Sequence, residues 1–268
     1  GNGLDDTIGI GVAESDSIFG KRAQYELQPI AGAFNAYPGF WHLNDDGAAV
    51  YGTVTKEFRK ALGYIAEMYK DNLLYKEFAV GDVGEDLISG KCGIMFGWWS
   101  SALFDLRQNR SLDDSADWTA YLCPLDENGK FNTTDNEPAT RYLVVSAECE
   151  HPEAVLKVLD AEYKFHWGIN LDEIWKERLL EYETMGVLYS TMPICLTLER
   201  SEIVPERHNG FKQYLTTGSM DGLSSSVQSY IQSYISYLDG ATDLTGWAWI
   251  KGMYEAGGLM MQDNVNAS

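Results

Sequence analysis

The sequence holds 8 tryptophans, and four of them fall in two close pairs. Trp98 and Trp99 are adjacent, Trp247 and Trp249 flank Ala248, and Trp41 precedes the polar turn Asn44-Asp45-Asp46-Gly47. A flat indole suits the C–H face of a pyranose ring, with polar neighbours taking the hydroxyls. Adjacent residues on an extended segment point to opposite faces. Trp98 and Trp99 can therefore both enter one core only if a strand ends beside them. Gly97 before them and Ser100-Ser101 after them mark such an end. A strand end that leads into a helix is where open α/β sheets hold ligands. Trp98 and Trp99 are thus the leading candidates for ligand contact, and Trp41, Trp247 and Trp249 are weaker ones. Any one tryptophan taken alone reads slightly better as a large core residue. Arg141, before the apolar run Tyr142-Leu143-Val144-Val145, is a further candidate as a hydrogen-bond donor. An arginine at a strand end more often sits in water.

Other chemistries find less support. Asp and Glu total 40, so some carboxylate pair is unavoidable. Glycoside hydrolysis needs two carboxyls about 5 to 9 Å apart in space, which sequence spacing does not reveal. The start, Asn2-Gly3-Leu4-Asp5-Asp6, resembles the back half of a calcium loop. Asn2, the Leu4 carbonyl and Asp6 would be its ligands, with the earlier ones lying upstream. A solvated polar tail is the favoured reading of that stretch. His42, His151, His166 and His208 have no metal-ligand spacing and read as surface or packing residues. Gly90-Lys91-Cys92 lacks the spacing and hydroxyl of a phosphate loop, and Gly9-Ile10-Gly11 lacks the third glycine of a dinucleotide fingerprint. No GxSxG elbow or HExxH helix occurs. Cys92, Cys123, Cys149 and Cys195 form no CxxC pair. Cys92, Cys123 and Cys195 have apolar neighbours and read as small core residues, with one or two disulfides open to an exported protein.

The elements that would position these residues follow from the pattern. A chain of 268 residues with 45% hydrophobic and 22% charged residues is globular, and suits one large domain or two small ones. Its net charge of −20 argues against nucleic acid or an anionic membrane face as main partner. No apolar run approaches the roughly 20 residues of a membrane span, and no signal peptide is visible at the start. Strands are predicted at 8–12, 92–96, 118–122 and 141–147, with a hairpin over 41–52. Helices are predicted over 56–72 (N-cap Thr55), 82–89, 102–108, from Pro152 through Tyr163, over 170–183 and over 224–238. Strands and helices mix in the first half, and helices dominate the second. The expected fold class is α/β, with helices covering a small mixed sheet.

Several runs occur in a familiar order. Tyr51-Gly52-Thr53-Val54-Thr55-Lys56-Glu57-Phe58-Arg59-Lys60-Ala61-Leu62 precedes Met68-Tyr69-Lys70-Asp71-Asn72-Leu73-Leu74-Tyr75-Lys76-Glu77-Phe78. Ser89-Gly90-Lys91-Cys92-Gly93-Ile94-Met95-Phe96-Gly97-Trp98-Trp99 and Tyr121-Leu122-Cys123-Pro124-Leu125 follow, then Tyr142-Leu143-Val144-Val145-Ser146 and His151-Pro152-Glu153-Ala154. This order resembles the extracellular solute-binding proteins of family 1, the sugar-binding lipoproteins of bacterial ABC importers. The similarity covers residues 1 to 165 well and 240 to 255 more weakly.

The resemblance implies a type II periplasmic-binding-protein-like fold: two hinged lobes that close on an oligosaccharide and deliver it to ABC permease subunits in the membrane. It implies that residues 1–140 form mainly one α/β lobe. Residues 141–268 would supply a crossover strand and a mainly helical segment shared with the other lobe. It assigns sugar stacking to Trp98 and Trp99. It implies an extracellular monomer anchored as a lipoprotein in its full-length form, not an enzyme, with no nucleic-acid partner. No cofactor is required, and Ca2+ is implied only for the full-length protein. The missing lipobox, first-lobe segment and C-terminal helices imply a fragment lacking both ends. Two further readings stand beside it: a glycoside hydrolase with an unidentified Asp/Glu pair, and an acidic domain that binds a protein partner through an exposed aromatic patch.

Overall fold

The computed structural model describes residues 6–13, 18–19, 24–44, 46–134, 142–166, 170–184, 202–261 and 265–267. The fold is mixed α/β, about half helical with few strands. The chain divides into two compact units, one from Gly1–Asn136 with Glu202–Ser268, the other from Glu137–Ser201. The larger unit therefore takes in the helical segment after residue 202 as well as the first half.

The larger unit begins with β1 (Ile8–Gly11), and α1 (Gln28–Gly32) follows. The hairpin of β2 (Trp41–Leu43) and β3 (Ala49–Tyr51) pairs Trp41 with Tyr51 and Leu43 with Ala49. Its turn falls at the polar run expected to form it: Asn44 Oδ1 accepts from the Asp46 and Ala48 amides, and Gly47 takes φ +75°.

Helix α2 (Lys56–Lys70) is capped by Thr55, whose Oγ1 accepts from the Phe58 amide at 3.3 Å. Phe58, Ala61 and Ile65 are its buried stripe. Leu62 and Tyr69, at the same three- and four-residue spacing, remain 42% and 40% exposed. They edge an apolar groove of about 360 Å³ whose floor is Val12, Leu27, Ile65 and Leu74. Asp82 caps α3 (Val83–Ile88) through the Gly84 and Glu85 amides. Strand β4 (Cys92–Met95) then pairs in parallel with β1, Ile8 opposite Cys92 and Ile10 opposite Ile94. A 3-10 turn (Trp99–Leu103) leads into α4 (Asp105–Leu112); Phe104, at φ −115° and ψ −116°, breaks what the pattern reads as one helix. Strand β5 (Phe131–Thr133) is paired in register with a strand near the chain's end.

Two predicted strands are absent. Residues 118–122 and 142–146 carry no regular structure, and among the described residues neither has a ladder partner. β-propensity records packing on a half-buried pleated surface. Tyr121, Tyr142 and Val144 are each at least 80% exposed and have no such surface.

In the smaller unit, α5 (Glu153–His166) begins straight after Pro152 and α6 (Glu173–Thr184) follows. The Asp172 side chain accepts from the Trp175 amide, and the Trp175 ring meets Phe165 edge-on at 5.9 Å.

The larger unit resumes with α7 (Ile203–Thr217), α8 (Ser225–Leu238) and α9 (Thr245–Trp249). The last runs on without a break into a π-helical stretch, Ile250–Ala256, and α10 (Gly257–Met260). Strand β6 (Val265–Ala267) is the partner of β5. Two glycines make this arrangement possible. A Cβ on Gly246 would lie 2.1 Å from the Ser233 carbonyl oxygen, and one on Gly252 would lie 2.6 Å from that of Trp99. Phe211, Val227, Ile231 and Met253 form the core of these helices. No helix among the described residues is long and apolar enough to cross a membrane.

Candidate functional site

Strand β4 ends at Met95, and two residues later the chain turns. Trp98 stands at the N-cap of the 3-10 turn, with its carbonyl accepting from the Ser101 amide at 3.0 Å. The residue is 50% exposed. Trp99 turns the other way and, partly buried, packs against the core of Phe211, Val227, Ile231 and Met253, as Tyr230, Trp249 and Tyr254 also do. The strand has ended as the glycine and serines suggest, and one indole is presented to solvent while the other packs against the helices behind the turn.

The anchor is built from three elements. Arg207, on the buried face of α7, places its guanidinium carbon 5.6 Å from the Trp99 ring centre and 5.8 Å from that of Tyr230. Both distances lie within cation–π range. Tyr230, from α8, meets Trp249 at 4.5 Å. The π-helical stretch runs beneath, with Gly252 against the Trp99 backbone. His208 stacks on Tyr254, ring centres 5.0 Å apart, and its Nδ1–H donates to the Tyr254 carbonyl at 2.8 Å. Lys251, from the same stretch, bridges Asp117 and Glu255 at 3.0 Å each. Burial pulls the Lys251 pKa down, but the two carboxylates outweigh it and hold it above the ordinary lysine range.

The other sequence candidates fall apart spatially or drop out. Trp247 is 4% exposed and packs with Ala102 and Ala248, so it is a core residue that braces the turn from below. Trp249 is half-buried against Tyr230. Trp41 is 71% exposed on the hairpin and has the Tyr51 ring at 5.4 Å, a second open aromatic surface. Arg141 lies outside the described residues, as do Asn2 and Leu4 of the calcium-loop expectation. Asp6 is half-buried. Among the described residues no group of three or more His, Cys, Asp or Glu is placed to hold a metal ion.

The thiols are quiet. Cys92, Cys123 and Cys149 are free, and Cys195 lies outside the described residues. Cys92 is buried as expected, whereas Cys123 is only half-buried. Burial pushes the Cys92 thiol up and that of Cys123 up to about 11, so both are protonated at neutral pH. Two carboxylates move in the direction opposite to a general acid. Asp113 is held below the ordinary range first by the Ser115 hydroxyl, and Asp126 first by the Asn132 amide.

Sequence reasoning missed Arg207 and Tyr230 as supports of the tryptophan pair. Tyr230 reads as an ordinary member of the apolar stripe of α8, and nothing near Arg207 in the sequence points to Trp99. No known family model matches the chain, and no curated protein matches it in sequence.

Proposed function

We propose that the chain is a carbohydrate-binding receptor, with Trp98 as the stacking surface for a neutral oligosaccharide. The observation that carries the reading is the Trp98–Trp99 turn: a half-exposed tryptophan at a strand end, rigidly tied through its neighbour to a helical core. An exposed indole costs hydration, and ordering it beforehand lowers the entropy lost on binding. The net charge of −20 suits a neutral ligand better than an anionic one. The finer reading follows the resemblance: a type II periplasmic-binding-protein-like fold, extracellular, whose mechanism is lobe closure rather than bond breaking. Its partner would be the permease of an ABC importer.

The test is tryptophan fluorescence of the chain during titration with maltohexaose, cellohexaose, xylohexaose and mannohexaose, followed by chromatography of the sugar. The reading predicts a saturable shift with one of them and recovery of that sugar intact. No shift with any of the four, or recovery of shortened sugars, would contradict it.

A further inference from the structure

An arginine on the buried face of a helix is expensive to desolvate and needs compensating contacts. Arg207 is 9% exposed, one turn from Phe211 and Val204 on the inward side of α7. Its guanidinium meets two rings from two different elements, Trp99 from the turn after β4 and Tyr230 from α8. Trp99, Val204, Gly252, Met253 and Gly257 line the small gap beside the guanidinium. The contact joins the turn that presents Trp98 to a helix more than a hundred positions later.

We infer that Arg207 is a positioning residue for the tryptophan pair: its guanidinium fixes the Trp99 indole in the helical core, and so fixes the direction in which Trp98 faces solvent. The planar guanidinium presents a broad cationic face to both rings. The ammonium of a lysine is a compact, strongly hydrated point charge that covers less of either ring and loses more hydration in the same place. Phe211, Val227 and Ile231, each fully buried, hold the helices together without Arg207. The role is therefore local. Only its consequence for sugar affinity rests on the receptor reading; the anchoring of Trp99 stands apart from it.

The experiment is oxidation of the folded chain by limiting N-bromosuccinimide, read tryptophan by tryptophan in peptide mass spectra, for wild type, Arg207→Met and Arg207→Lys. Wild type should oxidise Trp98 well before Trp99. In Arg207→Met, loss of the cation–π contacts should raise Trp99 oxidation by about fivefold to thirtyfold. Trp175, exposed in the smaller unit, should keep its rate and serves as the internal control. Arg207→Lys, which keeps the charge, should show a smaller rise. If Arg207→Met fails to fold, judged by far-ultraviolet circular dichroism, Arg207→Lys decides alone. A rise at Trp99 in folded Arg207→Met, or in Arg207→Lys when it alone folds, supports the inference. Unchanged Trp99 protection in folded Arg207→Met, or in Arg207→Lys when it alone folds, overturns it. An inert chain in the hexasaccharide titration would count against the receptor reading and leave this footprint untouched.

Discussion

Asn109 offers a quantitative test of the frame behind the tryptophan turn. It lies on α4, is 4% exposed, and joins two segments that no backbone ladder connects. Its Nδ2 donates to the Ile88 carbonyl at 3.0 Å, at the end of α3, and its Oδ1 accepts from Trp118 Nε1 at 2.8 Å. Each net hydrogen bond is worth about 1 kcal/mol, and each partner stranded in a half-buried place costs about 1 kcal/mol or more. Asn109→Ala should therefore lower stability by about 2 to 4 kcal/mol. Urea unfolding followed by circular dichroism measures this as a lower midpoint at unchanged slope. Trp118→Phe, and the double variant with Asn109→Ala, complete a cycle whose coupling should reach about 1 kcal/mol. Asn109→Asp adds a pH signature. One carboxylate oxygen would face the Ile88 carbonyl, so burial and repulsion would raise its folded pKa above the unfolded value of about 4. The folded state then binds more protons than the unfolded, and the deficit against wild type should grow as pH rises from about 4 towards 7. A loss below about 0.5 kcal/mol in Asn109→Ala, with zero coupling to Trp118, would refute the claim that this bridge holds the frame.

Other outcomes follow from single contacts. Gly252→Ala sets a Cβ 2.6 Å from the Trp99 carbonyl oxygen and 3.3 Å from Trp99 Cε3, and should destabilise by about 1 to 3 kcal/mol with a shifted tryptophan emission; an unchanged emission maximum would contradict the close packing. Thr55→Ala removes the cap of α2 and should cost about 1 kcal/mol in thermal or urea unfolding, with Thr55→Ser recovering most of it. Asp126 has a folded pKa below its unfolded value, so its contribution is present above the ordinary carboxylate range and lost as pH falls through the folded pKa. Asn132→Ala removes the amide that donates to Asp126 Oδ2 at 2.9 Å, and carboxyl carbon NMR should show the Asp126 midpoint move up.

Local signals were legible where physics acts over a few residues. The stripe Phe58, Ala61, Ile65 and the cap Thr55 placed α2 within two residues of its end, and Asn44 to Gly47 placed the hairpin. The Gly97-Trp98-Trp99-Ser100 group marked the turn correctly, because a strand cannot bury two adjacent indoles on one side. What was hidden depends on distant partners. The helix from Thr245 to Met260 carries Gly246, Gly252, Gly257 and Gly258, a composition that argues against helix until one sees what the first two glycines pack against. Residues 142–146 read as a strand, because periodicity reports what a segment could pack against, not whether a partner is there. Arg207 gave no sign, since its role is set by rings at positions 99 and 230.

The central claim is that Trp98 forms the face on which a neutral oligosaccharide stacks. Isothermal titration of wild type and Trp98→Ala with the hexasaccharide that shifts the fluorescence tests it most directly. Covering about 80 Å² of indole face at ~25 cal/mol per Å² is worth about 2 kcal/mol, so Trp98→Ala should weaken binding about thirtyfold while unfolding at an unchanged urea midpoint. Equal affinity in the two proteins would contradict the account.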